Sequence, residues 1–301
     1  MISVIIVAKD NPPYLTRSID SVKKIAEEII VGNLGIDDKL LKKLKNNPLI
    51  KIINIDKPVP YVELIREEMK SYAKNDYVLF LDPDEILPES LTATLNRLYK
   101  QYDYISIPRK NIIFNKWIQH SRWWPDYQTR LFKKSSVIWQ TKIHSQPTLK
   151  GNGFKLDPDE KNAIFHHNYE SVSEYVEKMN RYAQSQANEI YKNSETLTIS
   201  DTIKMSISEF ISRFYAYEGY KDGLHGLVLA FLQMFYPLLV FMYAWEQKKF
   251  TNKESDFASL PYDFFKQGAI ESSHWITQKK IRGKSNSIVS KIKQTLIKMF
   301  L

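Results

Sequence analysis

The sequence contains no cysteine. That one absence excludes disulfides, thiolate metal sites and cysteine nucleophiles. A chain without thiols fits a reducing compartment. A secretory signal is also missing from view: Met1 runs straight into Ser3-Val4-Ile5-Ile6-Val7, with no basic region and no small-residue cleavage site. There are no internal repeats and no long low-complexity tracts. No named DNA- or RNA-binding motif occurs, so no nucleic-acid partner is expected.

What is present suits a globular chain. Of 301 residues, 43% are hydrophobic and 26% charged, enough for one large domain with an extension, or for two domains. The formal charge is +9, and Gln247–Leu301 holds eleven Lys/Arg against four Asp/Glu. Most of the excess therefore lies in the C-terminal tail. Such a tail suits an anionic lipid surface, nucleic acid or a solvated appendage.

The first hundred residues alternate between strand-like and helix-like segments. Ser3–Ala8, Glu28–Gly32, Ile50–Ile55 and Tyr77–Leu81 are short apolar runs. Between and after them, Tyr14–Ala26, Asp37–Leu44, Tyr61–Ala73 and Pro88–Tyr99 carry apolar residues at helical spacing. This alternation predicts an α/β fold around a mostly parallel, Rossmann-like sheet covered on both faces. Tyr104–Pro147 mixes aromatic residues with turn formers and reads as strands and functional loops. Ser171 and Glu174 form a capping box at the start of a helix. A second amphipathic helix is expected over Asp201–Tyr217. Three parts are expected: 1–170 as the catalytic domain, 171–246 as a helical region and 247–301 as a basic tail.

Leu227–Trp245 is apolar but for Gln233 and Pro237, and is about long enough to cross a bilayer core. Three readings compete: a membrane span, a helix lying in the interface, or a buried core helix. Tyr236, Tyr243 and Trp245, with Lys248 and Lys249 just beyond, favour the interface. Peripheral or monotopic attachment at the cytoplasmic face of a membrane is expected.

The most informative segment is Tyr77-Val78-Leu79-Phe80-Leu81-Asp82-Pro83-Asp84-Glu85. An apolar strand delivers three acids at its C-terminal end, the edge where open α/β sheets bind ligands. Such acids repel one another unless a hard divalent cation, Mg²⁺ or Mn²⁺, neutralises them. The plain alternative is a turn, since Asp and Pro are common turn residues.

These residues, with Ser-Val-Ile-Ile-Val-Ala at the N-terminus and Glu28-Ile29-Ile30-Val31, resemble family 2 glycosyltransferases. The nearer resemblance is to the lipopolysaccharide-core glucosyltransferase branch. Asp126-Tyr127-Gln128-x-Arg130-Leu131-Phe132, Ile143-His144, His166-x-Asn168-Tyr169 and Gly219-Tyr220-x-Asp222-Gly223-x-His225-Gly226 extend it over about Ile2–Glu246. The resemblance implies a GT-A fold and inverting, metal-dependent transfer from a nucleotide-sugar to a glycan or lipid-linked acceptor in cell-envelope polysaccharide synthesis. It implies that Ala8, Lys9 and Asp10 face the nucleotide and that Asp82 lies near ribose and diphosphate. It implies a cation on Asp82, Asp84 and His166, and a phosphate contact for Arg66. Where the family carries a base-gripping Asp, this chain has Gly32-Asn33, and Asn33 can still exchange hydrogen bonds with a base.

Inversion needs a base for the acceptor proton. The family pattern often has Glu at the place of Ser145, which leaves His144 and Asp126 as candidates. Asp126 can instead orient Arg130 or bind the sugar. His166 reads as a ligand or as a hydrogen-bonded core histidine. Trp123 and Trp124 read as a sugar-stacking surface or as core. Two other functions compete: a catalytically inactive glycosyltransferase-like scaffold, and a haloacid-dehalogenase-like phosphatase, whose first motif is also a strand ending in D-x-D.

Overall fold

Valine and isoleucine runs build the centre of the catalytic unit. The structure, a computed structural model, describes residues 1–57, 59, 62–139, 147–251, 257–279 and 281. The chain opens with β1 (Ile2–Lys9), α1 (Leu15–Val22), β2 (Glu28–Leu34), α2 (Asp38–Lys45), β3 (Ile50–Asn54), α3 (Arg66–Ser71) and β4 (Tyr77–Leu81). It continues through β5 (Glu85–Ile86), α4 (Glu89–Leu98), β6 (Tyr104–Ile113), β7 (Lys116–Trp117), β8 (Asp126–Lys133), β9 (Val137–Ile138), β10 (Thr148–Leu149), β11 (Gly153–Lys155) and β12 (Ile164–Tyr169). The main sheet runs β3-β2-β1-β4-β8-β6-β12-β5. The first four strands are parallel, and β8 enters antiparallel to β4. This is the mostly parallel Rossmann-like core expected of the GT-A type.

Strand side chains alternate between faces, so a strand buried on both sides must be apolar throughout. In β1, Val4, Ile6 and Ala8 join Leu15 and Ile19 of α1 and Leu91 and Leu95 of α4. Ile5 and Val7 turn the other way, to Met69 of α3 and to Phe80 and Phe132. Truncating a fully buried Ile or Leu of this set, such as Ile6 or Leu91, to Ala costs about 2–5 kcal/mol.

The expected Tyr61–Ala73 helix is shorter. Tyr61 lies outside the described residues, Val62–Ile65 is a 3₁₀ turn, and only Arg66–Ser71 is α-helical. Such tight turns are common at α-helix ends.

Residues 118–122 and 171–301 form a second compact unit. Its helices are α5 (Val172–Lys192), α6 (Ile199–Ile211), α7 (Leu224–Gln247) and α8 (Leu260–Gln278). Ser171 caps the helix start: Glu174 N donates to Ser171 Oγ at 3.1 Å, one half of the expected capping box. The expected Asp201–Tyr217 helix begins at Ile199 and gives way to a π-helical turn over Ser212–Ala216. α7 packs on α5 through polar pairs along one side, among them Tyr236 Oη to Gln186 Oε1 at 2.7 Å. α8 lies where only a basic tail was expected. Its apolar residues form no clean stripe and none is buried, so periodicity gave no signal.

Candidate active site

β4 ends in a turn closed by its own acids. Glu85 N donates to the Asp82 carbonyl at 3.0 Å, and Asp82 N donates to Glu85 Oε2 at 3.0 Å. Glu85 is fully buried, 0% exposed, and pairs across the sheet with His166 on β12. Neighbouring strands add polar residues at alternate positions, which share one face. β6 supplies Arg109 and Asn111; β8 supplies Asp126, Gln128 and Arg130.

A buried carboxylate needs a partnered cation. Arg130, 2% exposed, bridges Asp82 and Glu85. Arg66 reaches Asp82 Oδ1 at 3.4 Å. Arg109 reaches Glu85 at 3.2 Å, and its Nε donates to Asp126 Oδ2 at 2.8 Å. Arg66, Asp82, Arg130, Glu85, Arg109 and Asp126 thus alternate in charge. Burial alone raises the Asp82 carboxyl pKa, but Arg130, Arg66 and Arg109 reverse this and hold it well below the usual carboxylate range. Burial pulls the Arg130 guanidinium down, and Asp82 and Glu85 push it well above its ordinary value. For Asp126, burial raises and Arg109, Asn111 and Gln128 lower, with a net fall.

His166 lies at the rim of this network. Asn111 Nδ2 donates to the Trp123 carbonyl at 2.9 Å and to Asp126 Oδ2 at 3.1 Å. That fixes the amide orientation and leaves Asn111 Oδ1 to accept from His166 Nδ1 at 2.6 Å. His166 Nε2 lies 3.6 Å from Asp84 Oδ2; in a neutral ring with its proton on Nδ1, Nε2 is the nitrogen that can ligate. His167 points the other way and stacks on Tyr14 at 3.9 Å.

The remaining expected residues fall as follows. Ala8 is buried at the end of β1, and Lys9 and Asp10 follow it exposed, with Asp10 at φ +56°. Asn33 is committed within its own turn: Oδ1 accepts from Gly35 N and Ile36 N at 3.1 and 2.8 Å, and Nδ2 donates to Asn54 Oδ1 at 3.0 Å. A Cβ on Gly32 meets Met69 Cε at 3.0 Å and Ile55 Cδ1 and Val7 Cγ2 at 3.2 Å, so a side chain at this position crowds apolar neighbours. Asp126 orients Arg109 rather than Arg130. His144 and Ser145 lie outside the described residues. Arg109, Asn111 and Gln128 were missed as site residues; Lys110 stands between Arg109 and Asn111 on β6, so a run of three polar residues gave no alternation to mark the two that face the site.

Residues 3–151 match the family model described as Glycosyl transferase family 2. The chain carries a glycosyl transferase family 2 domain. An uncharacterized glycosyltransferase of Rickettsia prowazekii is 26% identical over 253 residues, covering 76% of this chain and 83% of the relative. One from Rickettsia conorii is 26% identical over 246 residues, covering 75% and 83%. Among solved structures, Staphylococcus aureus TarS 1–349 aligns with a TM-score of 0.42 and 14% identity over 85% of this chain and 94% of that one. The chain is a glycosyltransferase, and the phosphatase reading falls with the family 2 match across the D-x-D segment.

Proposed function

We propose that this chain transfers a sugar, with inversion, from a nucleotide-sugar to a glycan or lipid-linked acceptor at a membrane surface, in cell-envelope polysaccharide synthesis. The observation that carries the donor half is the convergence of Asp84 Oδ2 and His166 Nε2, 3.6 Å apart. Among the described residues no three His, Asp or Glu side chains stand together to hold a metal. Two donors still fit Mg²⁺ or Mn²⁺, which bind through one or two carboxylates and take their other ligands from phosphate and water. Asp84 and His166 hold the cation in this reading, with Asp82 at its edge, already balanced by Arg130 and Arg66. When bound, the cation supplies positive charge to the diphosphate leaving group. Ala8, Lys9, Asp10 and Asn33 line the nucleotide side. The test is hydrolysis of a nucleotide-sugar panel with and without a chelator. Absence of metal-dependent turnover across the panel favours the inactive scaffold.

Asp126 is the proposed proton acceptor, with Oδ1 as the reacting oxygen. Arg109 and Asn111 occupy Oδ2, and Gln128 donates to Oδ1 at 3.0 Å. Its lowered pKa keeps it ionised at neutral pH and well below. The expected pH profile of turnover is therefore flat from about pH 8 to about pH 5. A limb near pH ~6.5, the ordinary histidine range, points to a histidine, His144 as the base or His166 as the ligand, and its loss in His144→Ala passes the role to His144. Asp126→Asn and His144→Ala variants provide the second check.

The membrane half rests on α7. It is the one described helix long and apolar enough to cross a membrane, with mean hydropathy 2.0 and only 22% of that stretch buried. Leu224, Phe231, Phe235, Met242 and Trp245 are exposed along it. With Val228 and Leu238 they fall at alternating three- and four-residue spacing, one continuous apolar stripe. The +7 tail adds attraction to an anionic leaflet, about 1 kcal/mol per basic residue held close. The full chain is expected to sediment with anionic vesicles, to be loosened only partly by high salt and to be released by detergent. A chain that stays in the supernatant at low salt has its α7 stripe covered by protein instead.

A further inference from the structure

Residues 118–122 follow β7 in the chain and directly precede Trp123–Asp126, yet they belong to the helical unit. Their anchor there is Asp222, 4% exposed. Its Oδ1 accepts from Gln119 N at 3.3 Å and its Oδ2 from His120 N at 2.9 Å. His120 Nδ1 lies 3.2 Å from Oδ1. The next two residues are in the left-handed region, Ser121 at φ +63° and Arg122 at φ +66°, a conformation that costs about 1–3 kcal/mol per non-glycine residue and persists only where its surroundings hold it. They are held. Ser121 N donates to the Tyr217 carbonyl at 2.8 Å, Ser121 Oγ to the Arg213 carbonyl at 3.0 Å, and Arg213 Nη1 to the Ser121 carbonyl at 3.0 Å.

The glycines of the Gly219–Gly226 segment serve the same grip. A Cβ on Gly219 meets the Arg213 carbonyl and Ser121 Oγ, both at 2.7 Å, and one on Gly226 meets the Gly219 carbonyl at 1.8 Å. Only glycine lets these backbones close up and bring Asp222 to the loop. One residue beyond the gripped loop is Trp123. Its carbonyl receives the Asn111 amide, the same Nδ2 that donates to Asp126 Oδ2, while Asn111 Oδ1 accepts from His166 Nδ1.

We propose that Asp222 is a positioning residue for glycosyl transfer: by holding the Gln119 and His120 amides it fixes the strand entry at Trp123 and, through Asn111, the aim of Asp126 and His166. The Gly219–Gly226 motif is then a catalytic support carried by the helical unit.

The proposal rests on Asp126 and His166 forming the reactive site, and its test separates the two. Asp222→Asn keeps shape but sets an NH₂ against a backbone N–H. It is expected to lower kcat for nucleotide-sugar turnover about 100-fold, the scale of a 1 Å misplacement, with donor KM unchanged. Ser121→Ala, the milder variant, is expected to lower kcat less and in the same pattern. Ile207→Ala removes core volume from α6 in the same unit and breaks no bond to the loop; it is expected to lower Tm and leave kcat alone. Wild-type kcat in Asp222→Asn and Ser121→Ala, or an equal loss in Ile207→Ala, overturns the proposal. Should the wild-type protein turn over no nucleotide-sugar, the transfer reading fails, and amide hydrogen exchange decides the positioning claim. Faster exchange across Trp123–Asp126 in Asp222→Asn or Ser121→Ala supports it, and unchanged exchange overturns it.

Discussion

Arg130→Met is expected to destabilise the folded chain by about 3–5 kcal/mol, the cost of breaking a buried ion pair by removing one partner. The side chain is buried, and two carboxylates depend on it, Asp82 and the fully buried Glu85. Methionine replaces the stem and leaves both acids facing each other without their shared cation. Arg109 still reaches Glu85 and Arg66 still reaches Asp82, so the loss is large but bounded. Urea unfolding measures it. Glu85→Gln in the Arg130→Met background is expected to recover part of the loss, because it removes the most deeply buried orphan charge. A loss below about 1 kcal/mol would place the pair among ordinary surface bridges.

The same network sets the acid limit. Asp82 and Asp126 titrate lower in the folded chain than their ordinary values. Groups with depressed folded pKa add stability that is present above the unfolded value, about 3.9, and lost as pH falls through the folded one. Removing Arg130 raises the folded value of Asp82 toward its unfolded one, so the variant has less stability left to lose to acid, and the gap in urea stability between wild type and Arg130→Met is expected to shrink as pH falls below about 3.9.

Much of this site was legible in the chain because it sits on a regular scaffold. The apolar run Tyr77–Leu81 predicts a buried strand, and the acids after it fall at the sheet's ligand edge without further information. The partners of those acids were harder. Arg109, Arg130 and Asp126 are separated by up to 21 positions and meet only because β6 and β8 pair in one register. Strand pairing is a long-range choice that local periodicity does not encode. The role of Asn33 was hidden for a different reason: its side chain bonds to its own turn, a local competition that Asn and Asp enter readily. The Gly219–Asp222 motif read as a family mark, and its contact with residues 118–122 spans about a hundred positions that sequence spacing cannot bridge.

Asp82 and Asp84 belong to one D-x-D, yet their asparagine variants are expected to fail in different ways. Asp84 stands on the histidine side of the turn. Its side chain is 32% exposed and faces His166 Nε2 at 3.6 Å. Asp84→Asn keeps the shape and removes one charge from the proposed cation pair. Turnover is expected to fall by about 100-fold or more, with the urea midpoint unchanged and part of the rate restored by raising Mn²⁺. Asp82→Asn removes a partner of Arg130 and Arg66 instead. It leaves Arg130, at 2% exposure, with Glu85 alone, and the expected first symptom is lost stability that added metal does not repair. Measuring Mn²⁺ dependence and urea unfolding on both variants separates the roles. If excess Mn²⁺ rescues Asp82→Asn and not Asp84→Asn, the cation belongs on Asp82, and the arginines around it hold the diphosphate rather than the fold.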